Sequence, residues 1–298
     1  MNKQIKGVLT AVVTTFDEHG QYCEARMRKQ IRRQIESGNS IFCNGTNGEF
    51  FVLDRNEKLR VTATCVDEVA GRVPVVAHIG EISTATTIEL GRAVAALGVD
   101  AVSAITPYFV PLRQEELIAH YTAIADALTV PLYLYNIPGR TGNTLAPATA
   151  ARLGAHPNIA GIKDSAGSYE SLKGFLDAAR EVPDFDVLCG PDHLAHQGFL
   201  EGCPACISGL ANVAPEGVAQ IWKHFAAGNI EASRQAQDAI SVLRKELYAV
   251  GFAPAAVKAA AAQLGQDVGA SRYPVSFSAE ETARILDIVT RLVRPAGR

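Results

Sequence analysis

Apolar residues come in short unbroken runs along this chain, at 8–13, 40–43, 73–79, 101–105, 130–135, 159–162, 185–188 and 205–210. Each run is strand-sized. Continuity rather than alternation marks strands covered on both faces, as in a parallel sheet. The segments between them have room for a helix each. Across 26–38, Met27, Ile31 and Ile35 recur at helical spacing and the pattern stops at Gly38; across 84–98, a threonine-rich start leads through Ile88, Val94 and Leu97 to Gly98. Eight strand–helix units in roughly 220 residues predict an α/β fold of the closed (β/α)8 TIM-barrel type. A doubly wound open sheet fits less well, because it uses about five or six strands and a glycine-rich first turn that is missing here. Beyond about residue 215, Ala, Gln, Arg and Leu dominate with helical periodicity. The expected division is a catalytic barrel over 1–225 and a C-terminal helical extension packed on it over 226–298.

In such barrels, function sits at the C-terminal ends of the strands. Those ends carry Thr14-Thr15, Gly45-Thr46-Asn47-Gly48-Glu49, Thr106-Pro107-Tyr108, Tyr135-Asn136, Lys163-Asp164, Gly190-Pro191-Asp192 and Ser208-Gly209. Lys163 stands out, since it ends the apolar run Ile159-Ala160-Gly161-Ile162. A buried unpaired ammonium is costly, and a neutral amine is a nucleophile that forms Schiff bases with carbonyls. The plain alternative is a strand-end lysine that snorkels to water or pairs with Asp164. Tyr135 ends the preceding strand and offers a phenol for proton transfer. The glycine-flanked Thr46 and Asn47 offer backbone N–H groups and side-chain donors to a carboxylate, although an ordinary Asn-Gly turn reads the same way. Arg140, on the loop Ile137-Pro138-Gly139-Arg140-Thr141-Gly142, suits bidentate contact with a second carboxylate, or simply solvent.

Composition narrows the partners. The 298 residues are 48% hydrophobic and 20% charged, with a net charge of −3. Lysines and arginines are scattered, which argues for small-molecule substrates and against nucleic acid or an anionic membrane. Lys3 and Lys6 ahead of Gly7-Val8-Leu9-Thr10-Ala11-Val12-Val13 faintly resemble a leader. That run is short, holds a threonine, lacks a cleavage site and reads better as a first strand. No run approaches the roughly 18 apolar residues of a membrane span. Six cysteines without framework spacing, at 23, 43, 65, 189, 203 and 206, suggest reduced thiols and a cytoplasmic protein. The pair Cys203-Pro204-Ala205-Cys206 enters a strand instead of opening a helix, so neither redox nor zinc chemistry is expected of it. Asp192-His193 and His196 have a spacing open to a divalent metal, but an Asp near a helix start is normally a cap, and no metal is expected.

Taken together, these motifs resemble the dihydrodipicolinate synthase/N-acetylneuraminate lyase family. The resemblance runs from Gly7 to about Gly228. It rests on Gly45-Thr46-Asn47-Gly48-Glu49, on Tyr135-Asn136-Ile137-Pro138-Gly139-Arg140-Thr141-Gly142, on Gly161-Ile162-Lys163-Asp164 and on Ile207-Ser208. It implies a class I pyruvate-dependent aldolase, lyase or dehydratase on a (β/α)8 barrel, working as a homotetramer built from dimers. Lys163 would carry the Schiff base, and no cofactor beyond that covalent imine would be needed. Tyr135 and Thr46 would relay protons. Thr46 and Asn47 would hold the keto acid's carboxylate, the Ile207 carbonyl would complete the pocket, and Arg140 would read the second substrate's carboxylate. Two residues depart from the pattern. Phe109 replaces the second tyrosine of T-P-Y-Y, which in the synthases crosses to a neighbouring subunit's site and completes a proton relay. Asn47 replaces a threonine. The expected activity is therefore cleavage or condensation of a 2-keto(-3-deoxy) acid with pyruvate as one partner. The alternatives are 4-hydroxy-tetrahydrodipicolinate synthase, a dehydratase using the same imine, and a keto-acid-binding member without turnover.

Overall fold

A computed structural model describes residues 4–293; Lys3 and the end of the expected extension lie outside the described residues. Eight parallel strands follow chain order around a closed barrel. They are β1 (Gly7–Ala11), β2 (Ser40–Cys43), β3 (Val75–His78), β4 (Ala101–Ile105), β5 (Leu132–Asn136), β6 (Ile159–Asp164), β7 (Asp186–Cys189) and β8 (Ala205–Ser208). The helices are α1 (Glu24–Ser37), α2 (Arg55–Val69), α3 (Thr84–Ala95), α4 (Gln114–Ala127), α5 (Pro138–Thr141), α6 (Pro147–Gly154), α7 (Tyr169–Ala179), α8 (Ala195–Leu200), α9 (Pro215–Ala226), α10 (Ile230–Tyr248), α11 (Ala253–Gln263) and α12 (Ala279–Leu292). This is the expected TIM barrel with C-terminal helices. No helix among the described residues is long and apolar enough to cross a membrane.

Boundaries moved where local chemistry overrode the apolar pattern. Strand β5 starts after Pro131, whose nitrogen cannot donate to the ladder. Strand β8 stops at Ser208 because the Ser208 hydroxyl accepts the Ala211 N–H at 3.0 Å and turns the chain. Strand β6 runs on through Lys163 and Asp164. In α1, Ile35 is only half-buried, and Gln30 and Gln34 take inward positions beside Met27 and Ile31.

Internal contacts divide the chain into two compact units. The first comprises the N-terminal residues up to Lys6 together with Pro74–Ile207. In it β3 to β7 pair in sequence, and β7 meets β8 at Cys189 and Cys206. Gly161 is required where β6 passes β7, since a Cβ there would lie 2.2 Å from the Asp186 carbonyl oxygen. The second unit comprises Gly7–Val73 and the chain from Ser208 onward. It is knitted by buried amides. Asn212 donates to the Ala11 and Gly209 carbonyls at 2.8 and 2.9 Å and accepts from the Val13 N–H at 3.0 Å. Gln34 accepts from the Thr10 hydroxyl at 2.7 Å and donates to the Ala211 carbonyl at 3.0 Å. Each amide both donates and accepts, so one side chain satisfies backbone groups that no ladder reaches.

His120 gives the first unit an acid-sensitive point. It lies buried on α4, its Nδ1 2.8 Å from the Thr84 hydroxyl and its Nε2 enclosed without a partner. Burial pulls its pKa down from 6.5 to about 4. A depressed pKa means that the unfolded chain binds the proton first, so stability is full above pH 6.5 and falls as the pH drops towards 4. By linkage this one site contributes about 3 kcal/mol of that fall. Denaturant unfolding of His120→Gln should show a drop between pH 7 and pH 4 that is smaller than wild type by about that amount; an equal drop removes His120 as the cause.

Candidate active site

Lys163 lies at the C-terminal end of β6 and is 4% exposed. In the ladder it is level with Tyr135 of β5 on one side and Leu188 of β7 on the other. Its Nζ sits 3.9 Å from the centroid of the Tyr135 ring. The face of the ring lies against the amine and screens it from water on that side. The neighbouring Asp164 does not face the same way, because consecutive strand residues point to opposite sides. Its Oδ1 accepts from the Asn136 amide at 2.8 Å and the Ala166 N–H at 3.2 Å, and burial raises its pKa. His78 of β3 sets its ring edge-on to Tyr135, with centroids 6.0 Å apart. Its Nε2 accepts the Ile105 N–H at 3.2 Å, which places the proton of the neutral ring on Nδ1.

Arg140 is exposed on the single-turn helix α5. The loop that carries it is fixed by Asn143, a residue the motif reading passed over. The Asn143 amide donates to the Pro107 and Val110 carbonyls at 2.8 and 2.7 Å and accepts the Leu112 N–H at 2.7 Å. Thr106 donates to the Thr141 hydroxyl at 2.8 Å. The segment clamped in this way includes Phe109, which has φ +77° and is 92% exposed. A bulky residue in left-handed backbone, with its ring in water, is an outlier on both counts. Ile207 is buried in β8. Cys203 and Cys206 are free, buried thiols; burial pushes the first up to about 12 and the second in the same direction, which disfavours the thiolate that redox exchange needs. The N-cap position of α8 is Leu194, so Asp192, in a short 3-10 turn ahead of that helix, does not occupy it. Among the described residues no group of three or more His, Cys, Asp or Glu side chains is placed to hold a metal.

Thr46 and Asn47 lie half-buried on the tight loop after β2, in the second unit. Gly48 packs against backbone, so a Cβ there would lie 3.2 Å from the Val12 carbonyl, and the Thr14 hydroxyl donates to the Gly48 carbonyl at 2.6 Å. Glu49 closes the loop in left-handed backbone, φ +58°. Its carboxylate is wholly engaged: Oε1 meets Lys258 Nζ at 2.7 Å, and Oε2 accepts the Arg272 N–H at 2.9 Å. The two charged side chains are 1% and 3% exposed. Lys258 Nζ and the Arg272 guanidinium carbon lie 4.0 and 4.2 Å from the Phe16 ring centroid, and Arg272 also binds Glu57 bidentately at 2.6 and 2.7 Å. Burial lowers the Lys258 pKa to about 8, with Glu49 opposing the shift. The sequence signal for Lys258 was the single charge in the alanine-rich helix α11. Removing one partner of a buried pair strands the other, at about 3–5 kcal/mol. Lys258→Met should therefore cost about that much in denaturant unfolding, and Glu49→Gln/Lys258→Met should recover most of it. Additive losses in the double variant would show that the two charges are not coupled.

Comparison with known proteins agrees with these motifs. The Dihydrodipicolinate synthetase family model matches residues 4–291. The chain is 41% identical to a 4-hydroxy-tetrahydrodipicolinate synthase of Geobacter metallireducens over 77% of this chain and 79% of that protein. It is 36% identical to the enzyme of the same name from Trichlorobacter lovleyi over 94% and 96%. Its fold superposes on the dihydrodipicolinate synthase of Acinetobacter baumannii, solved with pyruvate, at a TM-score of 0.91 and 32% identity, covering 96% and 98% of the two chains. With its lysine-bearing sixth strand and its Gly-Thr-Asn-Gly-Glu loop, the chain belongs to the dihydrodipicolinate synthetase family of class I lyases.

Proposed function

We propose that this protein is a Schiff-base-forming, pyruvate-type aldolase or lyase that cleaves or condenses a 2-keto(-3-deoxy) acid. The observation that supports this most is the buried Lys163 amine against the Tyr135 ring, at 3.9 Å. In the proposed reaction the Lys163 amine adds to the keto carbon, and Tyr135, with Thr46, moves protons so that the carbonyl oxygen leaves as water. The resulting imine withdraws electrons. A proton lost from the adjacent methyl group gives an enamine, which adds to an acceptor aldehyde; the reverse path cleaves that bond. Water then hydrolyses the imine and restores the amine. The backbone N–H groups of Thr46 and Asn47 are proposed to hold the carboxylate, the Ile207 carbonyl to complete the pocket, and Arg140 to bind an anionic group on the acceptor. The reaction as proposed uses no cofactor or metal.

A second reading, 4-hydroxy-tetrahydrodipicolinate synthase, is favoured by the names of the relatives at 36–41% identity. Phe109 is what separates the two readings, because a phenyl ring has no proton to relay. Its exposure also favours assembly, and we take the protein to be a homotetramer in which this ring is covered. A cytoplasmic site of action fits its reduced cysteines.

Treatment with pyruvate and borohydride should leave one reduced pyruvyl adduct, mapped by peptide mass spectrometry to Lys163. In Lys163→Ala both the adduct and turnover should vanish, by at least about 10³-fold, while the circular dichroism spectrum is retained. Turnover that survives in this variant defeats the imine reading. Phe109→Tyr should raise condensation of pyruvate with aspartate semialdehyde several-fold; an unchanged rate means that position 109 does not limit synthase activity.

A further inference from the structure

Arg244 is an arginine in the second unit that no function has yet absorbed. It stands four residues before Tyr248 in the last turns of α10, so the two share a helix face. Its guanidinium carbon lies 5.0 Å from the Tyr248 ring centroid. Arg26, Arg28, Arg234, Arg272 and Arg291 each sit against a carboxylate. Arg244 makes no ion pair or hydrogen bond among the described residues, and its Nε is enclosed without an acceptor. Buried donors of this kind are scarce and call for a reason.

The far end of Tyr248 supplies one. A Cβ on Gly209 would lie 3.2 Å from the Tyr248 hydroxyl and 2.9 Å from Asn47 Nδ2, so phenol and amide meet over the bare α-carbon of Gly209. The Asn47 side chain, half-buried, has no hydrogen-bond partner among the described residues either. An amide, a phenol and a guanidinium thus adjoin one another in series, starting at Asn47. Amide and phenol each donate and accept, while the guanidinium only donates and its planar fork matches a carboxylate.

We propose that Arg244, steadied on Tyr248, is a specificity-determining residue that binds a second carboxylate at the far end of the substrate, so that this enzyme selects 2-keto acids with two acid groups. The proposal rests on the reading that the Thr46–Asn47 loop holds the keto acid's own carboxylate. Arg140 lies in the other unit, and it is left intact so that the variants report on Arg244 alone.

The test compares two five-carbon keto acids, 2-oxoglutarate and 2-oxopentanoate, which differ in the terminal carboxylate. Borohydride trapping on the full chain gives the half-saturating concentration of each, and their ratio is the readout. Wild type should favour 2-oxoglutarate at least tenfold. In Arg244→Met the ratio should fall at least fivefold, and Arg244→Lys should restore part of it. A wild-type ratio near one, or a ratio unchanged in Arg244→Met, overturns the proposal. Calorimetry with glutarate and pentanoate separates this from failure of the imine reading, because neither acid can form an imine. Glutarate binding that is lost in Arg244→Met supports the subsite even if no Lys163 adduct forms, and glutarate binding unaffected by the substitution overturns it.

Discussion

The ion pair between Glu49 and Lys258 is the constraint on which the shape of the Gly45–Glu49 loop depends. Two charges at 1% and 3% exposure contribute little net stability, since desolvation offsets most of their attraction. What the pair supplies is position. Glu49 is held in left-handed backbone, which costs on the order of 1 kcal/mol or more, and both of its carboxylate oxygens are taken by the C-terminal part of the chain. The loop therefore cannot relax without stranding a charge. The helices after the barrel act as a back wall for the residues proposed to bind carboxylate, and a change in α11 reaches Thr46 and Asn47 through one short side-chain chain.

The first unit reaches the same end with neutral groups. Asn143 holds three backbone groups around the Phe109 segment, as Asn212 does for the end of β1 in the second unit. A side-chain amide suits this task because it donates and accepts at once and brings no charge to neutralise. Lys163 then needs little local help. The ladder sets it level with Tyr135, whose ring covers it, and His78 packs edge-on to that ring while accepting from the next strand. The Lys163 amine, proposed above as the nucleophile, is thus positioned by strand register.

How much of this was legible in the sequence follows from how far each interaction reaches. The bounds of β2 and β4 match the apolar runs because continuous burial is a local property of the chain. Lys163, Tyr135 and the glycine loop were legible because their residue types conflict with their surroundings. Lys258 was not, because its partner is 209 residues away, and a lone lysine in an alanine-rich helix looks like a solvated charge. Asn143 and Gln34 failed for the same reason: their partners are 36 and 24 residues distant, and an Asn after Thr-Gly, or a Gln among apolar helix positions, carries no signal of its own.

Phe109 shows why shape and chemistry have to be weighed separately. Read as a letter, it is the loss of a hydroxyl. In the structure it also keeps a left-handed backbone that costs about 1–3 kcal/mol for a bulky residue. Asn143 grips the carbonyls of Pro107 and Val110 on either side, so the conformation is enforced whatever the side chain carries. An aromatic ring represents roughly 150–250 Å² of burial, and at 92% exposure almost all of that is withheld within a single chain. The assembly proposed above would recover that burial, and it does not need the phenol. The exposure of the ring and the loss of the hydroxyl are therefore separate properties of this position: the first goes with the clamped backbone, the second with the side chain alone.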